Sequence, residues 1–401
     1  SAPALSSTAP VAAQGAPMEI RGWSYRMFGM VNLLDDVDVS VERVGRTRVG
    51  DLVIEVTCRV DDTVVSIGRA LVAAPRTAYV YPGQGIQRAG MGMDAMTSVT
   101  RAVFARADAH TRATLGFSIE AIIRDNPTQI RIGSRVVRHP DGVLNLTQFT
   151  QVALATLAYA QTEQLRAEGA FVEGAMYAGH SLGEYNALAA CAKIFPFEQV
   201  LEIVYARGSA MHDLVERDAE GRSNYRMGAL RPNECGIGED EVRSYIEALR
   251  EETGEFLQIV NENLAGAQYA IAGTVRGLEL LAKDASARAD ARGGRRPFML
   301  IPGIDVPFHS SVLRAGVVPF REKLRELLPE VVDTSVLVGR YVPNLVARPF
   351  ELTEDFARAI VDVVPSGPVL DLLERGWSLA MEEPSQVART LLIELLAWQF
   401  A

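Results

Sequence analysis

Between a short apolar run and an alanine-rich stretch lies Gly179-His180-Ser181-Leu182-Gly183-Glu184, the segment that most narrows what this chain can fold into. A serine flanked as G-x-S-x-G, after a predicted strand and before a predicted helix (Asn186 to Ala192), marks a sharp strand-to-helix elbow that leaves the hydroxyl exposed. Gly179 and Gly183 permit a turn that a Cβ would block. A helix starting near Leu182 aims its free N–H groups and positive dipole end at the serine, which suits an oxyanion. An ordinary glycine-flanked turn is the alternative, and the strand and helix around the motif favour the elbow.

Around this elbow the chain divides by composition. Its 401 residues predict two or three domains. Residues 1–17 are Ala, Pro and Ser with almost no charge, which reads as a linker and implies something upstream. Residues 18–75 read as a β-meander: Val37–Val41, Leu52–Val56 and Val64–Ile67 are strands separated by turns. Such strands are marginal alone, so the block is expected to pack on a missing partner or on the neighbouring domain. From residue 76 strands and helices alternate. Thr77–Tyr81 is a short strand entering Pro82-Gly83-Gln84-Gly85, which lacks the spacing of a phosphate-binding loop. Thr147–Arg166 is a core helix whose Gln148 and Gln151 read as structural, and Arg131, Arg135 and Arg138 mark a basic, solvated loop. Residues 227–298, with apolar runs at Leu257–Val260 and Gln268–Ala272 and helices at Glu239–Arg250 and Gly277–Ala291, form a compact α+β subdomain inserted in the larger one. Pro297–Ile301 is then expected to return to the main sheet and deliver Val306-Pro307-Phe308-His309.

Two side chains give the elbow a chemistry. The helix predicted over Pro196–Val215 carries Val200, Val204, Met211 and Val215 on one face, and Arg207 falls on that same face. A buried guanidinium left unpaired costs several kcal/mol. Its partner is either an internal carboxylate, with Glu184 a candidate, or a substrate carboxylate gripped by the bidentate fork. Spacing leaves the two open. Five histidines are available as a base. His110 and His212 sit in helical patterns, His139 in the arginine-bearing loop, and His180 is adjacent to Ser181 on a sharp turn that points neighbours apart. His309 remains, at the carboxyl end of a strand where catalytic groups of open α/β sheets gather. A hydrolase triad would add a carboxylate; Asp284, Asp290 and Asp305 are available and none has convincing context.

Tyr81-Pro82-Gly83-Gln84-Gly85, the Gly179–Glu184 elbow, Tyr205-Ala206-Arg207-Gly208, Val306-Pro307-Phe308-His309-Ser310 and Val342-Pro343-Asn344 occur in one order. In that order they resemble the malonyl-CoA:acyl carrier protein transacylase family from about Thr77 onward. The strand-rich lead resembles the C-terminal strands of a hot-dog dehydratase of the MaoC type, so the whole resembles part of a type I fatty acid synthase of the mycobacterial or fungal kind. The resemblance implies an α/β-hydrolase-like main domain at 76–401, an inserted ferredoxin-like subdomain and a hot-dog fragment before them. It implies that Ser181 carries the acyl group, His309 deprotonates it, Arg207 holds a malonyl carboxylate, and the backbone N–H groups of Gln84 and Leu182 form the oxyanion hole. It also implies that a backbone carbonyl at Gln399 orients the histidine, and that Phe308, before it, follows the type I synthase pattern. A chain stopping just after Gln399 is expected to be a fragment of a longer polypeptide. No cofactor bound by the domain itself is implied: coenzyme A thioesters are substrates, and the partners are a carrier domain bearing phosphopantetheine and the other synthase domains, in a homo-oligomeric assembly.

The formal charge of −10 argues against nucleic acid as a general partner. Three scattered cysteines (Cys58, Cys191, Cys235) fit reduced thiols, no thiol pair has metal-ligand spacing, and no apolar run spans a bilayer, so a cytoplasmic setting is expected. The rivals are a serine thioesterase or esterase, disfavoured by the missing acid and by Arg207, and a non-catalytic scaffold segment. The basic run Arg288, Arg292, Arg295 and Arg296 reads as a solvated helix face that an acidic carrier surface would also suit.

Overall fold

Asp61 and Asp62 both adopt positive φ, 48° and 63°, which joins two strands through the tight turn whose twist suits a hairpin. The structure, a computed structural model, describes residues 20–47, 51–73 and 77–401. The linker expected at 1–17 lies outside them. The chain divides into two units: the described residues up to Ala78 with Leu165–Ala175, and Tyr79–Gln164 with Met176–Ala401.

In the first unit, β1 (Ile20–Met27), β2 (Asp38–Arg46), β3 (Leu52–Val60) and β4 (Thr63–Val72) form an antiparallel sheet in the order β1-β4-β3-β2. β2 to β4 are a meander, but β1 was not among the expected strands and pairs with the last one. Trp-Ser-Tyr-Arg-Met at its centre keeps large apolar groups on alternate positions, and Trp23 lies over Gly68 of β4, where no side chain stands in its way.

The second unit holds the elbow. β5 (Ala78–Tyr81), β8 (Met176–Gly179) and β13 (Tyr341–Val342) make a three-stranded sheet with β8 in the middle and β13 parallel to it, Tyr341 opposite Tyr177. Between β5 and β8 run α1 (Ser98–His110), α2 (Ile119–Asp125) and α3 (Thr147–Ala167), which is buried along most of its length. The basic segment expected as a loop is a hairpin of β6 (Gln129–Ile132) and β7 (Arg135–Arg138), turned by Gly133 at φ 57°. Alternation of Ile and Val with the charges buries Val137 while the arginines face out. After β8 come α4 (Leu182–Ala190), buried throughout, and α5 (Phe197–Asp213).

β9 (Tyr225–Leu230), β10 (Leu257–Leu264), β11 (Gln268–Thr274) and β12 (Phe298–Leu300) form a separate antiparallel sheet in the order β10-β11-β9-β12. With α6 (Val242–Thr253) and α7 (Val275–Asp290) it encloses its own core, including Leu230, Ile246, Ile271, Leu281 and Phe298. The expectation that Pro297–Ile301 rejoins the main sheet is corrected: β12 pairs with β9, Phe298 opposite Leu230. Gly228 provides the room, because the Phe298 ring occupies the place of its missing side chain. The rest is helical: α8 (Val317–Leu327), α9 (Thr334–Leu337), α10 (Glu354–Val363), α11 (Gly367–Glu374), α12 (Trp377–Ala380) and α13 (Pro384–Trp398). α13 ends at Gln399.

Gly208 in α5 meets α3 face to face, and a Cβ there would stand 2.5 Å from the Gln148 Cα. Both atoms are on packed helices that cannot yield separately. Gly208→Ala is therefore expected to destabilise the protein by about 1–3 kcal/mol, read as a lowered thermal midpoint.

Candidate active site

Ser181 leaves β8 with φ 51° and ψ −113°, a strained conformation for a residue with a side chain, and α4 starts at the next residue. The elbow closes because Gly179 and Gly183 touch: a side chain on Gly179 would overlap the Gly183 carbonyl group, and one on Gly183 would overlap the Tyr81 carbonyl. His180 N–H donates to the Tyr81 oxygen at 2.9 Å, which ties the loop after β5 to the elbow. Asn344, just past β13, braces the strained serine: its Oδ1 accepts from Ser181 N–H at 3.1 Å and its amide donates to the Gly179 carbonyl.

His309 Nε2 lies 2.8 Å from Ser181 Oγ. The Gln399 backbone hydrogen-bonds the His309 ring and favours its protonated form, as a carbonyl acceptor does. Burial pushes the imidazole down to about 3, and the nearby Arg207 and His180 push the same way. The ring is therefore neutral at physiological pH, with Nε2 free to take the serine proton. His309 itself has φ 58°, and Phe308 before it is buried.

Arg207 is 1% exposed. It donates to Gln399 Oε1 at 2.8 Å, to Gln151 Oε1 at 3.1 Å and to Ser181 Oγ at 3.3 Å. The salt bridge to Glu184 that spacing had left open is not formed: the guanidinium contacts neutral acceptors among the described residues, and the Gln399 side chain stands between it and Glu184. Glu184 acts on Arg207 only through space. The cation thus has acceptors and a tyrosine face, Tyr185 at 5.2 Å, without a counter-charge in contact. Gln151, read as structural, extends this network: its Nε2 donates to Thr147 Oγ1 at 2.9 Å, and that hydroxyl donates to Gln84 Oε1 at 2.9 Å. Gln84, its side chain held on α3, is one of the residues that line the cleft. Leu182, as the first residue of α4, has no intrahelical acceptor for its N–H.

Gln84, Ser181, Arg207, Phe308 and His309 line a narrow cleft of about 70 Å³ whose opposite wall is the small sheet, through Met227, Asn261, Asn263 and Ala270. The loop carrying His309 is fastened at both ends: Gln87 joins the Gly85 N–H to the Gly303 carbonyl, and Gln258 Oε1 accepts from both Ser311 N–H and Ser311 Oγ at 3.0 Å. Asp305, one of the carboxylates available as a triad acid, is buried and bidentate on Arg217, with His139 at 3.8 Å. Asp284 holds Arg288 and Tyr245, so the first of the basic run is already paired. Of the other histidines, His180 lines the same cleft and hydrogen-bonds Asn263, and His110 faces Glu202.

A family model described as acyl transferase domain matches residues 78–292. The chain belongs to the acyl transferase family. It is 32% identical over 446 residues to the fatty acid synthase beta subunit TOXC of Cochliobolus carbonum, covering 92% of this chain and 21% of that protein. It is 31% identical over 450 residues to the fatty acid synthase subunit beta of Saccharomyces cerevisiae, covering 91% and 22%. This acyl transferase thus spans about a fifth of the length of these relatives. Among solved structures it is similar to an acyl-carrier-protein S-malonyltransferase from Burkholderia pseudomallei, with TM-score 0.54, 26% identity, 81% of this chain and 80% of that one. FabD from Acinetobacter baumannii shares the fold, with TM-score 0.54 at 24% identity over 73% and 80%.

Proposed function

We propose that this acyl transferase moves malonyl groups from coenzyme A to the thiol of an acyl carrier protein, through an acyl-serine on Ser181, in fatty acid synthesis. The observation that carries this reading is Arg207: a buried cation beside the serine, with neutral acceptors and no carboxylate in contact, is built to receive one. The fungal synthase subunits and the bacterial malonyltransferase are its relatives, which supports the same substrate class.

In the proposed reaction His309 Nε2 takes the Ser181 proton as Oγ attacks the thioester carbonyl. The oxyanion is held by the backbone N–H groups of Gln84 and Leu182, each such donor contributing about 10²–10³ in rate. Collapse breaks the C–S bond, and the His309 proton passes to the departing coenzyme A sulfur. The second half runs in reverse: His309 takes the proton of the phosphopantetheine thiol, the sulfur attacks the acyl-serine, and the proton returns to Ser181. The Gln399 carbonyl keeps the imidazole in the tautomer this requires, in the place an acid fills in a hydrolase triad. Phe308 forms part of the acyl wall. The neutral orienting group and the waiting cation favour transfer of a carboxylated acyl group over the esterase alternative.

Residues 76–401 are proposed as the transferase domain, with the β-α-β-β-α-β order of residues 225–300 supporting a ferredoxin-like subdomain. The elbow and the sheet behind it support an α/β-hydrolase-like body, and the sheet of β1 to β4 a hot-dog fragment covering 18–75. The partners proposed are a carrier domain and the remaining domains of a larger synthase, in the cytoplasm. Among the described residues no helix is long and apolar enough to cross a membrane.

Mass spectrometry after mixing with malonyl-CoA or palmitoyl-CoA tests the reading and the chain-length range together. A malonyl adduct on Ser181 is expected; absence of any adduct overturns the reading. Arg207→Ala is expected to lower malonyl transfer about 10²-fold, the scale for losing a buried charge pair, while sparing or improving uncharged acyl chains. Equal losses would remove the carboxylate role from Arg207.

A further inference from the structure

Glu184 comes three residues after the serine, is fully enclosed (1% exposed), and has no part in the proposed reaction steps. Every group on its carboxylate is a donor. Oε1 accepts from the Tyr341 hydroxyl and from Asn344 N–H at 3.0 Å, and Oε2 accepts from Gln399 Nε2 at 2.6 Å. The Gln399 amide is thereby set between two charged groups of opposite kind. Its Nε2 donates to Glu184 and, at 2.7 Å, to the Ser181 carbonyl, while its Oε1 accepts from Arg207.

We propose that Glu184 is a positioning residue for carboxylate recognition, acting by fixing which end of the Gln399 amide faces Arg207. This rests on the reading of Arg207 as the malonyl carboxylate's partner. A primary amide has one accepting and one donating end, and its two orientations are nearly isosteric. A carboxylate has nothing to donate, so it admits only the NH₂ end. The oxygen must then face Arg207, which has nothing to accept with. One carboxylate therefore settles the direction of the whole chain of hydrogen bonds from α4 to the guanidinium. The fork is held by this acceptor on one side and Gln151 on the other, so its aim at the serine hydroxyl depends on the choice made at Glu184.

Glutamine at 184 has nearly the same shape and reverses that choice. Asn344 N–H and Tyr341 still demand an oxygen on their side, so the new NH₂ points at Gln399. Either two NH₂ groups then face each other, or Gln399 turns over, giving up the Ser181 carbonyl and pressing its NH₂ on Arg207. Both outcomes disturb the guanidinium and leave the serine and His309 in place.

The test compares kcat/KM for malonyl-CoA and acetyl-CoA at pH 8, above the value of about 7 to which burial lifts the Glu184 carboxyl against the pull of its three donors and Arg207. Glu184→Gln is expected to lower the malonyl-to-acetyl ratio at least about tenfold, mainly through KM for malonyl-CoA, as a lost binding interaction does. A loss shared equally by both substrates, or no change, overturns the proposal. Gln399→Met, which removes the amide and keeps the backbone carbonyl, is expected to lower the ratio as well, and decides the question if Glu184→Gln does not fold: an unchanged ratio sinks the proposal. In the Gln399→Met background, Glu184→Gln is expected to change the ratio by less than about twofold, since groups acting through one contact are not additive. If wild type forms no malonyl-Ser181 at all, it is the functional reading that falls; a wild-type preference for malonyl that survives in the variants removes only the role of Glu184.

Discussion

Ser181→Ala is expected to abolish acyl transfer, with kcat lowered by about 10⁴-fold or more and no covalent adduct after incubation with malonyl-CoA. The size of the effect comes from the absence of a substitute. The strained backbone places the residue-181 side chain at the mouth of the elbow, 2.8 Å from the imidazole, and no other hydroxyl is bonded to that nitrogen among the described residues. Cys191 and Cys235 offer none: both are buried, and burial pushes the Cys235 thiol up, away from reactivity. Alanine retains the Cβ, so the backbone strain is unchanged and the variant is expected to fold with a thermal midpoint close to that of wild type. Intact mass and midpoint together separate loss of the nucleophile from loss of structure. An adduct that persists in Ser181→Ala places the nucleophile elsewhere.

How much of this site was legible in the sequence depended on the range of each contact. The elbow was readable because its requirement is local and steric: two glycines four apart must touch when a strand turns sharply into a helix. Arg207 was readable because a charge on an apolar stripe at helical spacing has few explanations. What the arginine touches was not readable, since Gln151, Gln399 and Ser181 come from three other parts of the chain and the periodicity of α5 carries no record of them. The roles of Asn344 and of the Gln399 and Glu184 side chains were missed for the same reason. A glutamine one residue from the end of a helix has no local signature, and its importance lies in standing where three distant elements meet.

The fold shows the same division. Strand alternation revealed that the lead is β-rich, yet the position of β1 beyond β4 is a long-range pairing. Three apolar residues at β12 announced a strand and left open which sheet it joins; Gly228, seventy residues earlier, makes room for the Phe298 ring and settles it. Asp305 shows the limit from the other side. A carboxylate four residues before the histidine was available as a triad acid without convincing context, and its actual use was not readable: Arg217 occupies both its oxygens.

His309→Ala is expected to slow acylation of Ser181 by about 10³-fold, within the range for losing a general base. Its pH signature distinguishes it from a structural histidine. Burial, Arg207 and His180 hold the folded pKa near 3, below the ordinary 6.5, so the basic form persists as pH falls and is lost only on approach to that lower value. For wild type, the fall in kcat/KM assigned to His309 is therefore expected well below pH 6, because that ratio reports the free enzyme. Part of the depression is the charge of Arg207. When a substrate carboxylate pairs with the guanidinium, that part is offset and the imidazole becomes more basic in the complex. The acid limb of kcat for malonyl-CoA is then expected at higher pH than the limb of kcat/KM, and for acetyl-CoA, which brings no charge, the two are expected to coincide. Glu184, raised to about 7, titrates above the acid limbs being compared and acts alike on both substrates. Stopped-flow acylation rates after pH jumps spanning about pH 2.5 to 8 provide the measurement. Coincident limbs for both substrates would show that the carboxylate is not bound at Arg207, because a charge placed there has to be felt by the base beside it.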